Sequence, residues 1–566
     1  MPEITKTKVL IAATEFEPLT NVGHLGRAVM NLSVALNRYS GAAHKAPANG
    51  ERSVLANNEK SVQANGEKSV LADNEKSVQA NGEKSVQANG DPLCETDVRV
   101  VIPRYSSIPK KFLSAARRVC DFTASLGRRT YACTVHITDY RGVWVYLLSC
   151  ADYFKGEHVY SSVGDDVERY SCFCNAVLKM LPKIEFEPDV IQCHDWQMSF
   201  IPTLLKTGGS RRAHDEALKT LFVIHSMQYQ GVCSRYEMLD MLDLSSDFFT
   251  PSTLEFYGEA NSLKGGLLFS DKLATVSRNY ASEIQHAYYG ENLEGIIRVR
   301  SADLRGILCG IDPEIYNPAT DERVYVNYDA STLPENKPAN KRRLQELLGF
   351  EGGADTPLII IIADELDFDK GMDLIKFVFD DIAALGVQLV IASRGETGYH
   401  DFFMQKAGEY KGKVAYVRFN GGLYWDGEKW AGWDELYGGG AEAHKPLSET
   451  MLISGSDMLL RPSRVEPCGE KHLIALKYGT LPIVRETGGL KDAVEPYNAE
   501  TGAGNGFTFF NYNAHDMLYT LKNAVSVYND DKPAWNRMTL AAMSVNVTWD
   551  AAAAEYMEIY ETLREA

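Results

Sequence analysis

The sequence predicts an α/β protein made of two doubly wound, Rossmann-like domains that face a central cleft. Three observations lead to that reading. The chain has 566 residues, beyond the ~250–300 at which a single hydrophobic core stops growing. Short apolar runs alternate with amphipathic stretches at helical spacing, the mark of a parallel sheet covered on both faces. After a polar stretch, 321–340, the alternation starts again.

Taken in order, Val9–Ala13 is the first strand, and the helix Gly23–Asn37 follows with Leu25, Val29, Leu32, Val34 and Leu36 near helical spacing. Further strands are expected at Asp97–Ile102, Val143–Leu148, Val190–Cys193, Leu221–His225, Leu273–Val276 and Gly306–Leu308, with helices at Val167–Leu181 and Leu263–Phe269. The second unit has strands at Leu358–Ala363, Val387–Ala392, Val414–Arg418, Met458–Arg461 and Leu481–Val484, and helices at Met372–Leu385 and Lys471–Tyr478. In open sheets of this kind ligands bind beyond the carboxyl ends of the strands. The organisation expected is therefore an N-terminal domain, 1–320, a C-terminal domain, 321–548, and a closing helix, 549–566.

Residues 51–90 repeat an eight-residue unit beginning at Glu51, Glu59, Glu67, Glu75 and Glu83. That period fits neither a helix nor a solenoid, and each unit offers too little apolar surface to offset its ordering entropy. A flexible insert is expected, at the amino ends of the strands and away from any site.

Composition narrows the partners. A formal net charge of -18 repels nucleic acid and anionic membrane surfaces, so neither is expected as a partner. No apolar run is long enough to span a bilayer and no signal-peptide pattern opens the chain. The ten cysteines lack the spacing of a metal knuckle. They read as reduced, mostly buried thiols of a cytoplasmic protein, with no metal and no cofactor expected.

The motifs point to chemistry. Pro462-Ser463-Arg464-Val465-Glu466-Pro467-Cys468-Gly469 lies where a strand meets a helix, and Tyr478 to Leu490 follows, ending Thr487-Gly488-Gly489-Leu490. Together they resemble the signature of bacterial glycogen synthases and plant starch synthases. The N-terminal half is similar to that family at His194-Asp195-Trp196, His225 to Gly231, Lys264-Gly265-Gly266, Gly310-Ile311-Asp312, Asn317 to Asp321 and Trp549 to Leu563. Only the repeat and an insert near 424–445 fall outside the resemblance.

The resemblance implies a retaining GT-B glycosyltransferase that moves glucose from a nucleotide sugar, ADP-glucose before UDP-glucose, to the non-reducing end of an α-1,4-glucan. The N-terminal domain would serve the acceptor and the C-terminal domain the sugar nucleotide. Glu466, Lys370 and His194 are the catalytic residues implied. Gly23, His225, Arg464, Gly469, Thr487, Gly488, Gly489 and Leu490 would bind substrate. A fixed carboxylate can hold sugar hydroxyls and stabilise an oxocarbenium-like centre. Paired glycines before a helix let a phosphate approach backbone amides.

Three departures from the family pattern stand out, one loop and two single positions. The Lys-Thr-Gly-Gly-Leu loop reads Asn21-Val22-Gly23-His24-Leu25, so Asn21 replaces the lysine and His24 the second glycine. Glu365 stands at the arginine position before Lys370, and Cys309 where Asn is usual. A carboxylate ~4 Å from a phosphate charge would cost roughly 4 kcal/mol at an effective dielectric near 20, unless Arg394, Arg464 or Arg485 compensates or Glu365 turns away. Three readings stay open here: an active glucan synthase, a catalytically impaired paralogue that binds glucan or a partner synthase, and a transferase for another nucleotide sugar.

Overall fold

Apolar runs of five or six residues can be buried on both faces only inside a sheet whose neighbours are all strands, and the Thr7–Ala12 strand does this between Thr96–Pro103 and Val190–His194. The structure is a computed structural model. It describes residues 6–20, 22–38, 96–150, 153–156, 158–207, 218–394, 398–418, 423–425, 430–432 and 447–565. The octapeptide repeat, Asn21 and most of the 424–445 insert lie outside them.

The first sheet has nine strands. Its parallel part runs Leu304–Gly306, Lys272–Thr275, Lys219–Ile224, Val190–His194, Thr7–Ala12, Thr96–Pro103 and Val143–Cys150. Two long antiparallel strands, Arg129–Tyr140 and Arg117–Leu126, extend one edge. The second sheet has eight strands. Phe507–Phe509, Leu481–Arg485, Met458–Arg461, Leu358–Ala363, Gln388–Ser393 and Val414–Arg418 are parallel, and Leu423–Trp425 and Trp430–Gly432 close its edge antiparallel. Each sheet carries its own buried cluster. No helix among the described residues is long and apolar enough to cross a membrane.

Several elements differ from the sequence reading for local reasons. The single helix expected over Met372–Leu385 is two, Met372–Phe377 and Phe379–Ala383, hinged at Val378. The polar stretch 321–340 contains the start of a helix, Leu333–Leu347, whose Pro334 lies in the first turn, where no amide bond is lost, and whose Pro338 falls inside it. The last strand of the first half is Leu304–Gly306 rather than Gly306–Leu308. The Arg117–Leu126 and Arg129–Tyr140 hairpin was not anticipated. Its alternating polar and apolar residues match a one-faced antiparallel edge, not the continuous apolar runs of the parallel strands.

The last helix, Trp549–Glu565, returns to the first sheet. Arg564 donates to Thr7 Oγ1 at 2.7 Å, and the Tyr560 hydroxyl donates to Gln192 Oε1 on the Val190–His194 strand. The chain passes so close to itself here that a Cβ on Gly310 would sit 2.3 Å from the Trp549 backbone nitrogen. Gly310→Ala should therefore destabilise the protein by about 1–3 kcal/mol, read as a lowered urea midpoint at unchanged slope.

Candidate active site

Glu466 occupies the bend between the Met458–Arg461 strand and the Lys471–Lys477 helix, at the carboxyl end of the second sheet. It is only 6% exposed, and a buried carboxylate needs cations and hydrogen bonds to stay charged. It has both. Lys370 Nζ lies 3.0 Å from Oε1 and 3.1 Å from Oε2, Ser463 Oγ donates to Oε2 at 2.9 Å, and Arg461 is ion-paired to Oε2. Burial works to raise its pKa, but the charges of Arg461 and Lys370 and the Ser463 hydroxyl outweigh it and hold the carboxyl well below its ordinary range.

Two glycines bring these groups together. Gly371 adopts φ 77°, and a Cβ there would lie 2.2 Å from the Pro462 carbonyl oxygen, so the Lys370 loop is pressed against the Glu466 loop. Gly488 has φ 44°, and its Cβ would meet the Glu466 carbonyl oxygen at 1.9 Å. Lys370, Glu466, Gly469, Gly488 and Gly489 thus share one small region. Leu490 is buried beneath it. His472 pins it, with Nε2 3.1 Å from the Gly489 carbonyl oxygen, and burial lowers that imidazole to about 3, so it is neutral.

The helix N-terminus at Gly488 faces a carboxylate already. Glu283, from the first half, accepts from Gly488 N and from Thr487 Oγ1, both at 3.0 Å. In return Asp492 accepts from Arg278 N at 2.6 Å and Asn279 N at 3.0 Å, at the start of the helix Arg278–Glu283. Two short helices, one from each half, cap each other's positive ends. Other bonds that join the halves include Arg27 to Glu470, Gln228 Nε2 to Asp369 Oδ2 at 2.9 Å, and Arg485 to the Tyr289 hydroxyl at 3.2 Å.

His194 does not present a ring nitrogen to the cleft. Gln192 Nε2 donates to His194 Nε2 at 2.8 Å, because the Gln192 carbonyl oxygen is taken by Tyr560. His194 Nδ1 then donates to His225 Nε2 at 2.8 Å, which leaves the His225 proton on Nδ1. That Nδ1 is buried and has no hydrogen-bond partner among the described residues. Burial lowers His194 to about 3, and burial followed by the charges of His194 and His24 lowers His225. The relay from the last helix therefore ends at His225, not at His194.

The remaining expected residues are placed as follows. Gly23 is exposed, and its amide and that of Val22 donate to Glu15 Oε2 at 3.2 and 2.7 Å. Arg464 is held by Asp369 at 2.8 and 2.6 Å. Arg394 pairs with Asp364 at 2.9 Å. Arg485 is met by backbone carbonyls, the nearest being that of Arg464 at 2.8 Å. Glu365 is exposed, with no ion pair to another described residue. A cavity of ≈ 320 Å³ adjoins the site through Arg27 and is lined in part by Glu17, Asn31, Tyr316, Arg323 and Arg394.

Sequence reasoning missed Arg461, Ser463 as a ligand of Glu466, the Tyr560–Gln192 relay and Glu283. A buried arginine ending an apolar strand was the available signal for Arg461. The others are pairings between distant segments that no spacing announces.

Comparison with known proteins bears on what the chain does. A family model described as the starch synthase catalytic domain matches residues 94–299. The chain is 41% identical over 466 residues to a glycogen synthase of Clostridium acetobutylicum, covering 82% of this chain and 92% of that one. It is 40% identical over 470 residues to a glycogen synthase of Bacillus cereus, covering 83% and 93%. Among solved structures, the catalytic domain of starch synthase IV from Arabidopsis thaliana, bound to ADP and acarbose, superposes with a TM-score of 0.76 at 24% identity, over 99% of this chain and all of that one. Sucrose-phosphate synthase from Thermosynechococcus elongatus gives 0.53 at 14% identity over 99% of each chain. The fold is thereby GT-B.

One titration follows from the geometry. Asp195 accepts from His225 N at 2.7 Å, and burial, against that bond, raises its carboxyl from 3.8 to about 7. The native state then holds the proton more tightly than the unfolded chain, so the stability it lends below pH ~4 is lost as pH rises to ~7. Asp195→Asn, which cannot ionise, should gain stability relative to the parent across that window and show a constant difference above it, measured by urea unfolding at a series of pH values.

Proposed function

This chain belongs to the glycogen and starch synthase family of glycosyltransferases, and from that premise we propose that it moves glucose from ADP-glucose to the non-reducing end of an α-1,4-glucan with retention of anomeric configuration. It is a hexosyltransferase by family. The donor nucleotide, the acceptor, the site residues, the division of labour between the halves and a cytoplasmic location are our reading.

The observation that carries it is the Glu466 carboxylate, sealed in the cleft and ionised by two cations of unequal freedom. Arg461 is buried and also donates to the Ile362 carbonyl oxygen at 2.5 Å, so it stays with Glu466. Lys370 keeps 27% of its side chain exposed and can turn to a diphosphate oxygen. Glu466 then holds glucose hydroxyls and faces the positive charge that develops at the anomeric carbon. His225 Nδ1, oriented through His194, Gln192 and Tyr560, supplies a neutral hydrogen-bond donor. His194 is thus a positioning residue. The acceptor 4-hydroxyl attacks on the face from which the diphosphate leaves, and a leaving phosphate oxygen takes its proton. The Gly488 amide serves the diphosphate once Glu283 yields, whereas the Gly489 amide is held by the Glu466 and Pro467 carbonyls and, with Thr487 and Gly469, shapes that edge. The neighbouring cavity is lined by Arg27, Arg323 and Arg394, each ion-paired to a carboxylate, and by Glu17 and Glu449, a polar lining that suits a hydroxyl-rich portion of substrate.

Incubation of the purified chain with glycogen and radiolabelled ADP-glucose or UDP-glucose tests the reading. Incorporation into polymer from ADP-glucose is expected. Polymer binding without incorporation would instead indicate the impaired paralogue, and incorporation only from another sugar nucleotide a different donor. In the active case Glu466→Ala and Lys370→Ala should each lower turnover by roughly two orders of magnitude or more, and unchanged rates in both would remove this site assignment.

A further inference from the structure

Two of the three departures from the family pattern converge in space. His24, at the start of the helix His24–Arg38, and Cys309, just beyond the strand Leu304–Gly306, meet Cys468 of the Glu466 loop. A His24 ring nitrogen and the two sulfurs all lie within 4.8 Å of one another. Both cysteines are 4% exposed and unpaired as disulfides. His24 Nε2 is buried and makes no hydrogen bond among the described residues. That nitrogen lacks what a buried polar group ordinarily requires, and the three side chains are already in contact, Cys468 hydrogen-bonding both His24 and Cys309.

We propose that His24, Cys309 and Cys468 form a binding site for a thiophilic divalent cation of the Zn2+ class, bridging the two halves of the molecule. The donor set selects the ion: thiolate and imidazole suit Zn2+, whereas Mg2+ and Ca2+ require oxygen. Distance supports it. Tetrahedral Zn2+ with Zn–S of about 2.3 Å places two sulfurs about 3.8 Å apart, so rotamer adjustments of about 1 Å complete the geometry. Charge balances as well. Each thiol gives up its proton on binding, and two thiolates neutralise the ion in a buried setting. Three protein ligands leave the fourth position to water.

The ligands also explain what the ion does to the molecule. His24 and Cys309 belong to the first half, and Cys468 to the second. The ion can form all its bonds only when the halves stand as they do here, so it holds the cleft in this relation. The sequence reading expected no metal because the three ligands are far apart in the chain and no spacing links them.

The test uses the full chain, kept reduced with a phosphine, and Co2+ as the probe. One Co2+ per chain with a thiolate-to-cobalt charge-transfer band, displaced by one equivalent of Zn2+, is expected. Cys309→Asn and His24→Gly, which install the residues of the family pattern, should each weaken Co2+ binding at least tenfold, and Cys309→Ser provides a ligand change of nearly constant size. Retained thermal unfolding in each variant separates ligand loss from misfolding. Absence of the band in the parent chain, or uptake unchanged in all three folded variants, would overturn the proposal.

Discussion

A carboxylate buried between two sheets must be neutralised where it stands, and Glu466 sets the arrangement around it. The desolvation of such a group costs several kcal/mol unless partners replace water. Arg461, Lys370 and Ser463 replace it. Each partner imposes a condition on the backbone: a strand ending in arginine, a lysine loop brought in by a left-handed glycine, and a serine three residues before the glutamate. The site is therefore preorganised before any sugar arrives, and catalytic electrostatics depend on that. Two cations around one anion also leave a surplus of positive charge, which a strongly acidic chain otherwise lacks and a diphosphate requires.

The junction between the halves extends the same logic. Each of two short helices, Arg278–Glu283 and Gly488–Ala493, uses a carboxylate of the other to satisfy its first amides. Arg27–Glu470 and Gln228–Asp369 add charge-assisted bonds across the cleft. These contacts join the facing rims of the two halves through side chains and backbone amides. On the proposed reading, a diphosphate at the Gly488 amide competes with Glu283 for the same donor, which couples donor binding to the relation between the halves through one carboxylate.

Much of this was legible in the sequence. The parallel strands announced themselves as continuous apolar runs, and Leu358–Ala363, Val414–Arg418 and Met458–Arg461 fall at their expected bounds. The Glu466 segment stood out by its resemblance, and Lys370 by its place before a glycine. Partnerships were not legible. Nothing local indicates that the His194 ring is filled by Gln192 and His225, since both contacts depend on how adjacent parallel strands and the last helix pack. The Glu365 side chain could not be placed from spacing either, because a loop residue can face solvent or site with little change in backbone. The hairpin Arg117–Leu126 and Arg129–Tyr140 was missed because alternation with exposed arginines and threonines resembles a loop when each residue is read alone.

The central claim, that Lys370 and Glu466 act as one coupled unit in transfer, is tested most directly by a double-mutant cycle on the rate of glucose incorporation with Lys370→Ala and Glu466→Ala. The account predicts strong non-additivity, with a coupling energy of about 0.5–3 kcal/mol, the range found for residues in contact. Strictly additive losses would mean that the two side chains work independently and would contradict it.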